Sequence, residues 1–254
     1  MGKMKIGIQM YSLRNEMAED FPAAFQKVKE MGYDGVELAG LYGRTAEEVK
    51  AMCEELDIIP LSAHVLHTEL IADDSLLDAY AKIGCKYMVI PFLDEMYRPG
   101  KEKFEEFLED ARKLGERANK LGMKLCYHNH GFEFQKVDGE YGLDIIYREL
   151  SADLMGTEFD TCWIEYMGED SCAYIRKYAD RTEIIHLKDF VVKMEDGKKV
   201  IEFRPMGSGT LDIKAIINAA NDIDAKWLIV EQDEPTPGKT ALECVKESIE
   251  YLRK

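Results

Sequence analysis

The chain has five histidines, His64, His67, His128, His130 and His186, and each ends a short apolar run or falls just past one. Carboxylates share these positions: Glu37, Glu133, Asp160, Asp189, Glu231 and Asp233, with Lys188 between two of them. Imidazole nitrogens and carboxylate oxygens together suit a divalent ion such as Mn²⁺, Co²⁺, Mg²⁺ or Zn²⁺. Groups of this kind are costly at the end of a buried strand unless they pair or hold a cation. The segment CYHNHGFEF (126–134) raises the question most sharply, because it sets two histidines, an asparagine and an acid directly after a strand-like run.

The elements that must position these groups are legible as a repeated pattern. Near-continuous apolar runs occupy Lys5–Tyr11, Asp34–Leu38, Pro60–Val65, Tyr87–Phe92, Lys124–His128, Met155–Phe159, Ile184–Leu187 and Trp227–Val230. Runs that do not alternate are the mark of parallel strands covered on both faces. Helical periodicity fills the gaps, as in Phe21, Phe25, Val28 and Met31, or the stripe from Phe104 to Leu121. Gly32, Gly84 and Gly122 stand where helices should close in the left-handed conformation, and Thr45 with Glu48 reads as a capping box. Eight strand-then-helix units without a compositional break predict one (β/α)₈ TIM barrel spanning 1–254. An open doubly wound sheet is disfavoured because SLRNEM, not a glycine-rich turn, follows the first strand. In such a barrel the active site lies at the C-terminal ends of the strands, where the histidines and acids fall.

One segment departs from the rhythm. VVKMEDGKKVIEFRPMGSG (191–209) reads as a hairpin turning at Asp196-Gly197 over one end of the barrel, either a surface excursion or a lid. Gly207-Ser208-Gly209 then makes a tight turn, and Asp212 caps the next helix. Loops after strands seven and eight are also where barrels often seat phosphate.

Composition narrows the function classes. Of 254 residues 46% are hydrophobic, enough for a substantial core, and no apolar run approaches a membrane span. The N-terminal stretch lacks the features of a signal peptide, so the expectation is a cytoplasmic protein. Six scattered cysteines without a CxxC pair read as buried reduced thiols. With 49 acidic against 33 basic side chains the net charge is −16, which disfavours extended contact with nucleic acid. No membrane partner is expected, and homo-oligomerisation is left open.

GIQMYSLR, GVEL, SAH, YHNHGFEF, FDTCW, HLKDF and IVEQDE follow one another at the ends of seven of the eight runs. In that order they resemble the xylose isomerase-like barrel superfamily of sugar and sugar phosphate isomerases and epimerases, over almost the whole chain. The resemblance implies a metal held by Asp160, His186 and Glu231. Its fourth ligand is less direct: many ketose epimerases carry Glu inside strand five, near the position of His128. The nearest acid here is Glu133, five residues on, roughly 16 Å away if extended. Glu133 is the favoured ligand if Gly131 turns the chain back, with His128 as the alternative.

The function implied is isomerisation or epimerisation of a ketose through an enediolate, with Glu133 and Glu231 as the acid/base pair and the metal as Lewis acid. His130 and Lys188 would steady charge on oxygen. His64 and Glu37 would meet the substrate, and Trp163 would either stack on the sugar or belong to the core. The same enediolate with a leaving group next to it makes a dehydratase of the inosose or 3-oxo-sugar type. An apurinic endonuclease reading fits poorly with the acidic balance, and a sugar-binding barrel without chemistry is the non-enzymatic reading. Phosphorylation of the substrate is undecided, with Arg204 and Lys188 as the candidate partners.

Overall fold

The structure, a computed structural model, describes residues 4–254. Residues 1–3, where the stretch read for a signal peptide begins, lie outside the described residues. Eight strands carry the architecture: β1 Lys5–Gln9, β2 Gly35–Leu38, β3 Ile59–His64, β4 Tyr87–Ile90, β5 Lys124–His128, β6 Gly156–Asp160, β7 Thr182–Leu187 and β8 Trp227–Val230. They pair in parallel in the order β1-β8-β7-β6-β5-β4-β3-β2, and β2 returns to β1 to close the barrel. Helices such as Phe21–Met31 and Phe104–Lys120 lie between successive strands, and Ala241–Leu252 follows the last. Among the described residues no helix is long and apolar enough to cross a membrane.

Each strand has two buried faces, which is why its sequence does not alternate in polarity. The outer face packs on the helices through residues such as Ile8, Val36, Met88, Tyr127 and Phe159, with Phe25, Val28, Phe107 and Leu108 opposite. The inner face is apolar only in its lower part, where Leu61, Tyr87, Val89, Cys126, Ile184, Trp227 and Ile229 form a separate cluster. Two residues further up, the inner faces of β5, β7 and β8 become polar: Cys126 gives way to His128, Ile184 to His186, and Ile229 to Glu231. Side chains two apart share a face, so the apolar plug sets the floor of the site and the same strands supply its walls.

Trp227 fits into this plug because β1 and β2 present glycines. A Cβ on Gly35 would lie 2.6 Å from the carbonyl oxygen of Ile59 and 2.9 Å from the Trp227 ring. Gly35→Ala is therefore expected to destabilise the protein by about 1–3 kcal/mol through overpacking. A urea denaturation midpoint lowered at unchanged m would show this, and an unchanged midpoint would contradict it.

The punctuation falls where the sequence places it. Gly32, Gly84 and Gly122 take φ of 94°, 115° and 71°, and Thr45 with Glu48 makes both bonds of a capping box. The segments Asp189–Glu195 and Lys198–Arg204 form an antiparallel hairpin across Asp196-Gly197, whose positive φ values suit its two-residue turn. Its tip is solvent-exposed, while Phe190 at its base is buried. Asp212 caps the following helix by accepting from the amide of Ala215. The cysteines are free thiols, all buried except the half-buried Cys172.

Strand ends differ from the sequence reading where side chains intervene. β1 stops at Gln9 instead of Tyr11, because the Gln9 side chain accepts from the Tyr11 amide and starts a tight helical turn. The β2–β3 and β6–β7 pairings each shift register by one residue, with the extra residue, Leu61 on β3 and Glu183 on β7, opposite the approach to Glu37 and Glu158. Such bulges re-aim side chains, and those on β3 and β7 precede Ser62 and His186, which both meet the buried Glu37.

Candidate metal centre

The C-terminal mouth of the barrel gathers a dense set of buried charges. Glu37 is wholly buried and accepts from Gln9 Nε2 at 2.7 Å and Ser62 Oγ at 2.5 Å. His186 Nε2 lies 2.6 Å from Glu37, and His186 Nδ1 lies 3.2 Å from Glu231. His64 Nε2 stands 2.6 Å from Glu158, and His128 Nδ1 stands 3.1 Å from the same oxygen. Lys188, also buried, brings Nζ to 3.1 Å from Asp160, 2.7 Å from Glu231 and 3.2 Å from Asp233.

Among the described residues, the donor atoms of two groups converge to within 4.8 Å of one another: His128, Asp160, His186 and Glu231, and His64, His128, Glu158 and His186. The first group is two imidazoles and two carboxylates, a set that divalent transition metals accept readily. Asp160 Oδ2 in this group is buried and has no hydrogen-bond partner, although Lys188 is close to it. Lys188 compensates part of the cost of burying this oxygen, and a second cation would compensate more. The buried His/carboxylate cluster is consistent with a divalent metal site.

The charges hold one another in place. Burial works against the charged form of His64, but Glu37 and Glu158 outweigh it and hold its pKa at about 10. The same contest, with the same two acids, leaves His186 well above the ordinary histidine range. Glu37 is carried the other way: burial opposes its charge, and His64 and His186 overcome it. Glu231 is held low against burial by Lys188 and His186. His130 is pushed down to about 3 by burial and by Lys188, so its imidazole is neutral.

A cavity of about 650 Å³ opens above the cluster. Its walls include His64, His128 and His130 on one side and Lys188, Glu231 and Asp233 on the other, with an apolar flank of Val65, Leu76, Pro91 and Phe92. Of the site residues named from sequence, His64, His130, Lys188 and Glu231 line this cavity, and Asp160 and His186 lie in the donor cluster. Glu37 lies beneath, bonded to Gln9, Ser62 and His186, and is not on the cavity wall. Trp163 packs at 5.6 Å from the His130 ring and 5.9 Å from Lys188 Nζ, also off the wall.

Glu133 departs from the sequence expectation. The chain does turn at Gly131, but with φ of −82°, so the left-handed freedom of glycine is not used. The turn directs Glu133 to the outer side of β5, where it accepts from Tyr127 Oη at 2.7 Å and from the His130 amide at 2.8 Å. Tyr127 faces the helix layer, packing on Phe107, because it is one residue out of phase with His128. Glu133 is therefore not brought to the donor cluster, and His128 occupies the place on the inner face. Glu158 was missed: it sits within the short run Met155–Phe159, where one acid among buried neighbours was the available signal.

Burial raises the Glu133 pKa to about 7, against the opposing bonds from Tyr127 and His130. An acid whose folded pKa exceeds its unfolded value favours folding most below the unfolded pKa and loses that contribution as pH rises through the folded one. Wild-type stability should thus decline between about pH 4.5 and 7 relative to Glu133→Gln, which cannot titrate. Parallel stability curves for the two proteins across that window would refute the assignment.

The family model described as xylose isomerase-like TIM barrel matches residues 25–254. Inosose dehydratase of Clostridium perfringens (strain 13 / Type A) is 24% identical over 98% of this chain and 97% of its own. A sugar phosphate isomerase/epimerase from Parabacteroides distasonis ATCC 8503 superposes with a TM-score of 0.83 at 22% identity, covering 100% of this chain and 94% of that one. The IOLI protein, solved with a bound zinc atom, superposes with a TM-score of 0.74 at 18% identity, covering 98% and 96%. With its closed barrel and a match across nine-tenths of its length, the chain belongs to the xylose isomerase-like TIM barrel family.

Proposed function

We propose that the protein is a divalent-metal-dependent enzyme that enolises a keto sugar, with isomerisation or epimerisation as the outcome. The observation that carries this reading is the convergence of His128, Asp160, His186 and Glu231 at the floor of a cavity with acid/base groups on separate walls. These four residues would hold the ion. When bound it supplies Lewis acidity toward a carbonyl and its neighbouring hydroxyl.

The rest of the chemistry falls to side chains on the cavity wall. Lys188, flanked by Asp160, Glu231 and Asp233, keeps a positive charge where negative charge develops on the substrate oxygen. His130, from the loop after β5, presents a neutral imidazole whose Nδ1 has no hydrogen-bond partner. Asp233, from the loop after β8, accepts a hydrogen bond from Lys188 at 3.2 Å. The two loops are three strands apart around the barrel, so a proton can leave the carbon beside the carbonyl on one side and return on the other. Glu231 is occupied by Lys188 and His186, which favours a ligand role for it over the role of base. Glu133 supports the backbone of His130 and fixes where that imidazole stands.

Loss of water from the same enediolate is the second reading, supported by the inosose dehydratases that match along the full chain. One experiment treats both. The metal-loaded protein is incubated in deuterium oxide with a panel of ketoses, inososes and 3-keto glycosides. Deuterium at the carbon beside the carbonyl in a product of otherwise unchanged composition supports isomerisation or epimerisation. Loss of one water from the product supports dehydration. Absence of exchange across the panel would remove the enolisation reading altogether.

A further inference from the structure

We infer that the site selects an uncharged sugar and discriminates against its phosphate ester, an inference that rests on the keto-sugar reading above. The loop after β7 contains the convergent backbone amides that could cradle an anion, and the protein has already filled them. Asp189, wholly buried, accepts from the amides of Gly207 at 3.0 Å, Gly209 at 2.9 Å and Leu211 at 3.2 Å, and from its neighbour Phe190 at 2.9 Å. An internal carboxylate therefore sits where backbone N–H groups would otherwise be free for a phosphate oxygen. The fit is close: a Cβ on Gly209 would collide with the Asp189 carboxylate and lie 2.5 Å from the carbonyl oxygen of Phe190.

The cavity itself offers nothing in exchange. Among its lining residues Lys188 is the one lysine or arginine, and three carboxylates already share it. Glu69 and Asp233 add negative charge to the wall beyond the donor cluster. No arginine lines the cavity, and Arg98, which lies over the Phe92 ring, donates to the carbonyl oxygen of Leu93. Arg204 pairs with Glu202 on the hairpin, although its buried Nε has no hydrogen-bond partner, while Arg14 donates to the carbonyl oxygens of Tyr11 and Asp233 and to Glu234. A phosphate dianion needs charge-assisted donors to replace its hydration, and the two cationic groups on the wall, Lys188 and His64, are already paired with carboxylates. A bound divalent ion would offset part of the charge on Asp160 and Glu231 but would leave Glu69, Asp233 and the occupied amides unchanged.

The test is calorimetric binding on the metal-loaded protein, using matched pairs from the panel above: each free keto sugar against its phosphate monoester, with inorganic phosphate as a competitor. The expected result is that a free sugar binds at least tenfold more tightly than its ester, and that millimolar phosphate does not displace it. Equal or tighter binding of an ester, or competition by inorganic phosphate, would overturn the inference while leaving the keto-sugar reading intact. Binding of neither member of any pair, with the metal demonstrably in place, would overturn the keto-sugar reading and the inference with it.

Discussion

Replacing His128 with Ala is expected to strip the protein of its divalent ion and to lower turnover by roughly 10²–10³-fold or more, the scale seen when one group stabilising a transition state is lost. Glu133→Gln, by contrast, should leave metal content near one ion per chain. The contrast follows from the phase of β5. His128 points into the barrel, with Nε2 3.7 Å from Asp160, whereas the Glu133 carboxylate is spent on Tyr127 and a backbone amide on the far side of the strand. Loss of a direct ligand should weaken metal binding by more than the ~10–100-fold that follows loss of an outer partner. Metal content by mass spectrometry after dialysis decides the matter. Retention of the ion by His128→Ala together with its loss from Glu133→Gln would reverse the assignment.

Lys188→Met is expected to lower the melting temperature of the metal-free protein by about 10 °C. Lys188 is the buried counter-charge of Asp160, Glu231 and Asp233. Removing one partner of a buried ion pair costs about 3–5 kcal/mol, because the remaining charge keeps its desolvation penalty and loses its compensation. For a chain of this size each kcal/mol corresponds to ~2–4 °C. A divalent ion should restore most of that loss, since it supplies positive charge to two of the same carboxylates, while turnover stays low for want of the ammonium group. Calorimetric scans with and without added Mn²⁺ or Zn²⁺ provide the measurement. A shift of less than about 2 °C in the metal-free protein would show that Lys188 does not balance these acids.

Both experiments turn on a feature that distinguishes this mouth from an ordinary core. Glu37, Glu158 and the ion pairs of His64, His186 and Lys188 form one connected charge network. Such a network is costly to bury and sensitive to the loss of any member. Its retention at the centre of the barrel is hard to account for by stability alone and is accounted for by a site that takes up a cation and a polar substrate.

The sequence by itself determined the class of fold and the rim on which the site lies. Eight apolar runs that do not alternate, each followed by a helical stripe, leave few topologies, and in a parallel barrel every strand end points to the same mouth. Asp160, His186 and Glu231 were legible because each lies at or beside a strand's C-terminus, where local direction and global position coincide. Tertiary structure decided the rest, because the face a side chain occupies depends on strand phase, bulges and turns. A shift of one residue exchanges inside for outside. Glu133 is near His128 in sequence, yet the turn after β5 carries it to the helix layer, while Glu158, two residues before Asp160 on β6, shares the inward face of that strand. The loop after β7 is by position a candidate seat for phosphate, and the fold closes its amides at Gly207, Gly209 and Leu211 over Asp189, about twenty residues earlier in the chain. Hydrogen bonds of that reach are made only when the chain is packed, and the substrate preference inferred here follows from one of them.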